Sequence, residues 1–123
     1  MNQIFAVAVG GALGAVCRHL VNQVCSRYQF PFGTLTVNIV GCFFIGLLIT
    51  MRASDDQRWD ELTHSALTIG FLGALTTFST FGFETHSFLS SQQHGLGLLN
   101  IASNMLLGLV AVYGGIECGR WLS

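Results

Sequence analysis

The sequence predicts an all-α membrane protein with four transmembrane helices, and three observations lead to this fold class. Hydrophobic residues make up 51% of the chain, whereas charged residues make up only 9%, against roughly 25% in a typical soluble domain. Four apolar runs are each long enough to cross a bilayer, which takes ~20 residues. Short polar or aromatic segments separate them. We therefore expect residues 1–123 to form a single membrane domain in contact with lipid, with spans at about 3–24, 32–51, 62–90 and 95–121.

The first span carries small residues at a spacing that suits helix packing in lipid. Gly10 and Gly14 form a GxxxG pattern, which lets two helix backbones approach closely. Arg18 continues the same stripe four residues further on. A long basic side chain near a helix end can snorkel to the membrane surface, or it can lie at a protein interface or in a water-filled vestibule. Both interpretations stay open at this point.

The second span begins after Pro31, a residue that is tolerated at the start of a helix. Asn38 is its one strongly polar residue. An amide in hydrocarbon needs hydrogen-bond partners, so Asn38 either joins two helices or lines a polar path. The loop that follows, RASDDQRWDE, is the one strongly polar stretch of the chain, and its Trp59 is a candidate anchor at the membrane interface.

The third span contains GFLGALTTFSTFGFE, from Gly70 to Glu84. Glycine and β-branched threonine both weaken an α-helix, so we expect the helix to break within about 73–80. Lipid cannot satisfy the backbone groups that a break releases, and the protein or a watery cavity must do so. Membrane proteins place ion sites at such breaks.

The fourth span has a polar stripe. Asn100, Asn104 and Gly108 are spaced four apart, with Ser103 beside them. This stripe either holds helices together or forms the wall of a polar track.

The charges do not strongly favour one orientation in the membrane. Four spans put both termini on one side, together with Arg52, Arg58 and Arg120, while Arg27 and, depending on its depth, Arg18 lie on the other side. This is a weak positive-inside bias, and it would allow two copies to pair antiparallel. The net charge of −1 gives no case for a nucleic-acid partner.

Three glycine-containing stretches follow one another in the first three spans. GGALGAVCRH holds Arg18, PFGTLTVNIVGCFFIG holds Asn38, and the third stretch contains TTFSTF with Glu84 shortly after it. In this order, and at this chain length, they resemble the signatures of the Fluc/CrcB family of fluoride channels. The resemblance spans nearly the whole chain.

The resemblance implies a fold, a partner and a function. It implies an antiparallel, dual-topology homodimer in the bacterial cytoplasmic (inner) membrane, which conducts fluoride passively and lowers its cytoplasmic concentration. It also implies one structural sodium ion at the dimer centre, held by the backbone carbonyls of Gly73 and Thr76. The positions that correspond to the family's fluoride pathway are Arg18, Asn38, Thr77, Phe78, Ser79, Thr80, Phe81 and Asn104.

The chemistry of these residues agrees with that expectation. Fluoride is small and strongly hydrated, so a pore has to replace water donors, and amide and hydroxyl groups can do so without a fixed charge. Aromatic ring edges carry partial positive charge, so Phe78 and Phe81 could face an anion edge-on, although two Phe residues three apart also suit simple packing. Carbonyls released by a break suit sodium, a hard cation.

Two other functions compete with the channel. A small multidrug-resistance transporter has the same size and span number, but it would need a carboxylate in the first span, where this chain has Arg18 instead. A structural or assembly protein would explain the glycine stripes and the asparagines, but not TTFSTF at mid-membrane. We expect no enzyme, because the four histidines are scattered and no catalytic pattern is present.

Overall fold

The computed structural model describes residues 1–54 and 60–123, and every element in these ranges is helical. Arg58 and Trp59, which the sequence suggests as an inside charge and an interface anchor, lie outside the described residues. The elements are α1 (Asn2–Cys25), α2 (Phe32–Ser54), α3 (Glu61–Ser65), a π-helix (Ala66–Leu72), α4 (Gly73–Leu75), α5 (Phe78–Ser90) and α6 (His94–Leu122).

Four long apolar helical segments account for the described part of the chain. They are Asn2–Cys25, Phe32–Ser54, Glu61–Ser90 and His94–Leu122, and each is long and apolar enough to cross a membrane. For the described residues, the predictions of an all-helical fold and of four apolar segments that can span a membrane are therefore confirmed.

The third segment departs from α-helical geometry in two places. The first is the π-helix Ala66–Leu72. The second is a pair of extended residues, Thr76 at φ −77° and ψ 154° and Thr77 at φ −150° and ψ 116°. The helix resumes at Phe78. The extended pair lies within the stretch 73–80, where the low helix propensity of Gly and Thr predicts a break, whereas the π-helix precedes that stretch and was not predicted.

Glycines on α1 allow it to lie directly against the π-helix. A Cβ at Gly10 would overlap the Ala66 carbonyl, and a Cβ at Gly14 would overlap the Phe71 carbonyl. The two backbones are thus too close for any other residue at these positions. This is the packing that small residues four apart permit in lipid.

A second pair of helices, α2 and α6, forms the most extensive contact between elements in the described chain. A Cβ at Gly46 would overlap the Val112 carbonyl, and one at Gly115 would overlap the Phe43 carbonyl. Both sides of this interface therefore supply glycine where the backbones meet.

The interior has an apolar part and a polar part. Val37, Leu72 and Leu75 pack together where α2 meets the third segment. Polar side chains are buried as well, and most of them lie between α2, α5 and α6: Thr34, Ser65, Thr77, Thr85, Asn100 and Asn104. Buried polar groups of this kind need partners, and these partners define the candidate site.

Candidate ion pathway

The centre of the site is the peptide group of Thr77, which pairs with the side chain of Asn38. The Thr77 amide donates to Asn38 Oδ1 at 2.8 Å, and Asn38 Nδ2 donates to the Thr77 carbonyl at 3.3 Å. In an uninterrupted α-helix the Thr77 amide would donate to the carbonyl of Gly73, four residues earlier. Asn38 therefore takes the place of a helical hydrogen bond, and the Gly73 carbonyl loses its usual donor.

Hydroxyl groups surround the start of α5. Thr77 caps this helix, because its Oγ1 accepts from the Thr80 amide at 3.2 Å. The same hydroxyl donates to Thr80 Oγ1 at 2.9 Å and lies 3.4 Å from Ser79 Oγ. A helix N-terminus carries partial positive charge and favours anions. The break thus presents hydroxyls and a helix N-terminus at one place.

The two phenylalanines of the motif lie in contact but in different surroundings. Their ring centroids are 5.5 Å apart and their planes are tilted by 54°. Phe81 is 7% exposed, whereas Phe78 is 77% exposed and projects from the surface of the single chain. Both rings line a cavity of about 380 Å³.

This cavity collects most of the residues that the sequence singles out. Its lining includes Asn38, Thr77 and Asn104, together with Gly73 and Thr76, the two residues expected to bind sodium, and both phenylalanines. Ser79 and Thr80 are tied to it through the Thr77 hydroxyl.

Arg18 reaches the break from α1. Its Nη1 donates to the Thr76 carbonyl at 3.3 Å, so Arg18 makes a contact within the protein. The Thr76 hydroxyl donates to the Leu72 carbonyl at 3.0 Å. The Gly73 and Thr76 carbonyls are neutral oxygen ligands that suit a hard monovalent cation. Within 1–54 and 60–123, no group of three or more His, Cys, Asp or Glu side chains could hold a metal ion.

A line of side-chain amides leads away from the cavity. Asn38 Nδ2 donates to Asn104 Oδ1 at 2.9 Å, and Asn104 Nδ2 donates to both the carbonyl and Oδ1 of Asn100 at 3.0 Å. Asn100 Nδ2 in turn donates to Thr85 Oγ1 at 3.0 Å. The polar stripe on α6 is therefore continuous with Asn38 on α2 and with Thr85 on α5.

Sequence reasoning missed Thr85, the partner of Asn100, and it missed a second polar contact of this interior. Thr34 Oγ1 donates to Glu84 Oε1 at 2.7 Å, while Glu84 Oε2 is buried with no hydrogen-bond partner among the described residues. The sequence did hold a signal for it, because Thr34 lies one helical turn before Asn38 and Glu84 lies three residues after Phe81. Nothing in linear spacing, however, brings the two together.

Comparison with known proteins identifies the family. Residues 5–116 match the family model described as "CrcB-like protein, Camphor Resistance (CrcB)". The chain is 43% identical over 125 residues to a protein of Dehalococcoides mccartyi, covering 99% of this chain and 95% of the relative. It is 46% identical over 121 residues to one of Hydrogenovibrio crunogenus, with 96% and 91% covered. It is 41% identical over 126 residues to one of Geobacter sulfurreducens, with 99% and 100% covered. Each relative is named "Fluoride-specific ion channel FluC". A match over almost the full chain, to a family model and to these relatives alike, means that this four-span protein belongs to the CrcB family.

Proposed function

We propose that this protein is a fluoride-selective, passive ion channel that lets fluoride leave the cell and so lowers its cytoplasmic concentration. One observation carries the proposal: the Asn38–Thr77 pair stands in a cavity lined by neutral polar groups and by two phenylalanine rings. The fluoride-specific relatives support the choice of ion.

The path follows the polar groups between α2, α5 and α6. The amide of Asn38, the hydroxyl of Thr80 and the N-terminus of α5 can replace the water donors of fluoride, while the Thr77 hydroxyl, which donates to Thr80 Oγ1, orients the Thr80 hydroxyl. The edges of Phe78 and Phe81 add partial positive charge without a fixed cation. Thr34 lies one turn away from Asn38 on α2, about 6 Å along the axis, but its hydroxyl donates to the Glu84 carboxylate. An ionised carboxylate repels fluoride, so the proposed path does not include this contact.

A sodium ion at the carbonyls of Gly73 and Thr76 is the structural part of the proposal. Gly73 lies on the surface of the single chain, and its carbonyl has lost the Thr77 amide as a donor. A two-fold axis beside the break would bring the carbonyls of Gly73 and Thr76 from each copy around one point, where the ion would share the Thr76 carbonyl with the Arg18 guanidinium. The ion would also offset the cost of holding fluoride in a region of low dielectric constant.

The partner is a second copy in the opposite orientation. Phe78 and Ile69, exposed by 77% and 63%, lie in the third segment near the same surface as Gly73. Covering these residues with a second copy would close the cavity from lipid. Epitope tags at one terminus should be detected from both sides of the bacterial inner membrane, and detection from one side alone would contradict the dual topology.

The decisive experiment is fluoride efflux from liposomes that contain the purified protein, recorded with a fluoride electrode. We expect rapid efflux with potassium and valinomycin present to balance charge, and no comparable efflux of chloride. Proton-coupled exchange of an organic cation without fluoride efflux would instead indicate a small multidrug-resistance transporter. The absence of both activities would favour an assembly role.

A further inference from the structure

Asn100 and Thr85 are buried polar residues that the proposed pathway does not use. Asn100 is 0% exposed and Thr85 is also buried. Neither belongs to the lining of the cavity beside Asn38. Both nevertheless connect to that cavity through hydrogen bonds, and the direction of these bonds has a consequence for Asn104.

The hydrogen bonds that link Phe81, Thr85, Asn100 and Asn104 all run in one direction, because each donor has a fixed acceptor. The Thr85 hydroxyl donates to the Phe81 carbonyl at 2.8 Å, so towards Asn100 it can only accept. Asn100 therefore turns its Nδ2 to Thr85 and its Oδ1 to Asn104. The backbone carbonyl of Phe81, which can only accept, fixes the order of the whole chain of bonds.

This order decides which end of the Asn104 amide faces the cavity. Both N–H groups of Asn104 point at Asn100, one to its carbonyl and one to its Oδ1. Asn104 Oδ1 is then left to accept from Asn38. If Asn104 turned over, its oxygen would face two oxygens of Asn100 and its N–H groups would face those of Asn38.

We propose that Thr85 and Asn100 are positioning residues that hold Asn104 as a hydrogen-bond acceptor towards Asn38. In this state Asn104 Oδ1 occupies the place that an anion would take at the Asn38 N–H. Fluoride displaces this oxygen and not a water molecule, and Asn104 itself donates nothing to the ion. This inference rests on the proposed fluoride channel, and it identifies the Asn38 N–H as the donor that fluoride binds.

The test compares Thr85→Val, which removes the hydroxyl, with Thr85→Ser, which keeps it. Thr50→Val is the matched control, because Thr50 also donates to the carbonyl four residues earlier, Gly46, at 2.8 Å. We expect fluoride efflux to fall about tenfold in Thr85→Val, because a released Asn104 can turn its N–H groups to the ion and retain it by about one more hydrogen bond. Efflux should recover in Thr85→Ser and stay unchanged in Thr50→Val.

A second measurement separates positioning from packing. In ¹⁵N spectra of the unmodified protein, fluoride should shift the side-chain amide signals of Asn38, which donates to the ion, much more than those of Asn104, which only loses a bond at its oxygen. In Thr85→Val the Asn104 signals should shift as far as those of Asn38, because the Asn104 amide is no longer held and can turn its N–H groups to the ion. The titration of the unmodified protein tests the same point even where the variant does not assemble.

The outcomes distinguish the two proposals. No fluoride efflux from the unmodified protein refutes the proposed function. Efflux from the unmodified protein together with normal efflux from Thr85→Val refutes the positioning role alone. A loss in Thr85→Val that Thr85→Ser does not restore, or Asn104 signals that shift as far as those of Asn38 in the unmodified protein, also refutes the positioning role.

Discussion

Replacing Asn38 by Leu should destabilise the protein and stop fluoride flux. The substitution keeps a side chain of similar size but removes all three hydrogen bonds that Asn38 makes with the Thr77 peptide group and Asn104. Thr77 and Asn104 are both buried, so the Thr77 amide and the Asn104 Oδ1 are left without partners in a region where lipid cannot supply any.

The expected loss in free energy of unfolding follows from these two unpaired groups. A buried donor or acceptor left unsatisfied costs about 1–3 kcal/mol, so the two together cost about 2–6 kcal/mol. Hydrogen bonds between membrane helices average about 0.6 kcal/mol in double-mutant cycles, and three of them give about 2 kcal/mol. Both routes place the loss in free energy of unfolding at about 2 kcal/mol or more.

The assay pairs unfolding in mixed detergent micelles, followed by circular dichroism, with fluoride efflux from liposomes. Asn38→Asp is the informative companion, because it keeps an acceptor for the Thr77 amide but offers no donor when ionised. Its flux should fall at neutral pH because the carboxylate repels fluoride. Thr36→Val, at an exposed position of the same helix, is the control. A loss below about 0.5 kcal/mol in Asn38→Leu, with flux equal to that of the parent protein, would refute the role given to Asn38.

Three further predictions follow from the same geometry. Phe78→Ile and Phe81→Ile should each lower fluoride efflux sharply while the dimer stays assembled. Phe83→Ile, at a position 75% exposed on the same helix, should leave efflux unchanged. Equal effects at all three positions would assign the rings to packing. Gly115→Ala should lower the free energy of unfolding by about 1–3 kcal/mol, because its methyl group would overlap the Phe43 carbonyl, and a neutral result would contradict the close α2–α6 approach. Replacing all sodium by a large organic cation should abolish efflux, and efflux that persists with the site shown empty would argue against a structural ion.

The four helices and a face for close packing could be predicted because they depend on local properties of the chain. Runs of apolar residues longer than ~20 leave few alternatives to a membrane span. Gly10 and Gly14 indicated a face for close packing, and the structure places that face against the third segment. The Gly- and Thr-rich stretch indicated where α-helical bonding is weakest, and the extended residues Thr76 and Thr77 lie within it.

The contacts between helices could be predicted only in part. Helical spacing shows that Asn100 and Asn104 share a face, but it does not say how far along its axis a neighbouring helix is shifted. The pairing of Asn38 with Thr77 and that of Thr34 with Glu84 depend on this shift. Whether the residues gathered in the cavity conduct fluoride stays a prediction.

The π-helix at Ala66–Leu72 gives the third segment a local tolerance for length. Its i→i+5 hydrogen bonds enclose one residue more than the i→i+4 bonds of an α-helix do. This stretch therefore holds one residue more than an α-helix of the same height would need. Deleting a single residue inside this stretch, such as the exposed Ile69, could be absorbed by a return to α-helical bonding with both neighbouring helices kept in phase. The same deletion at Ala74, beyond the π-helix, would instead turn Thr77 by about 100° around the helix axis and carry its peptide group away from Asn38.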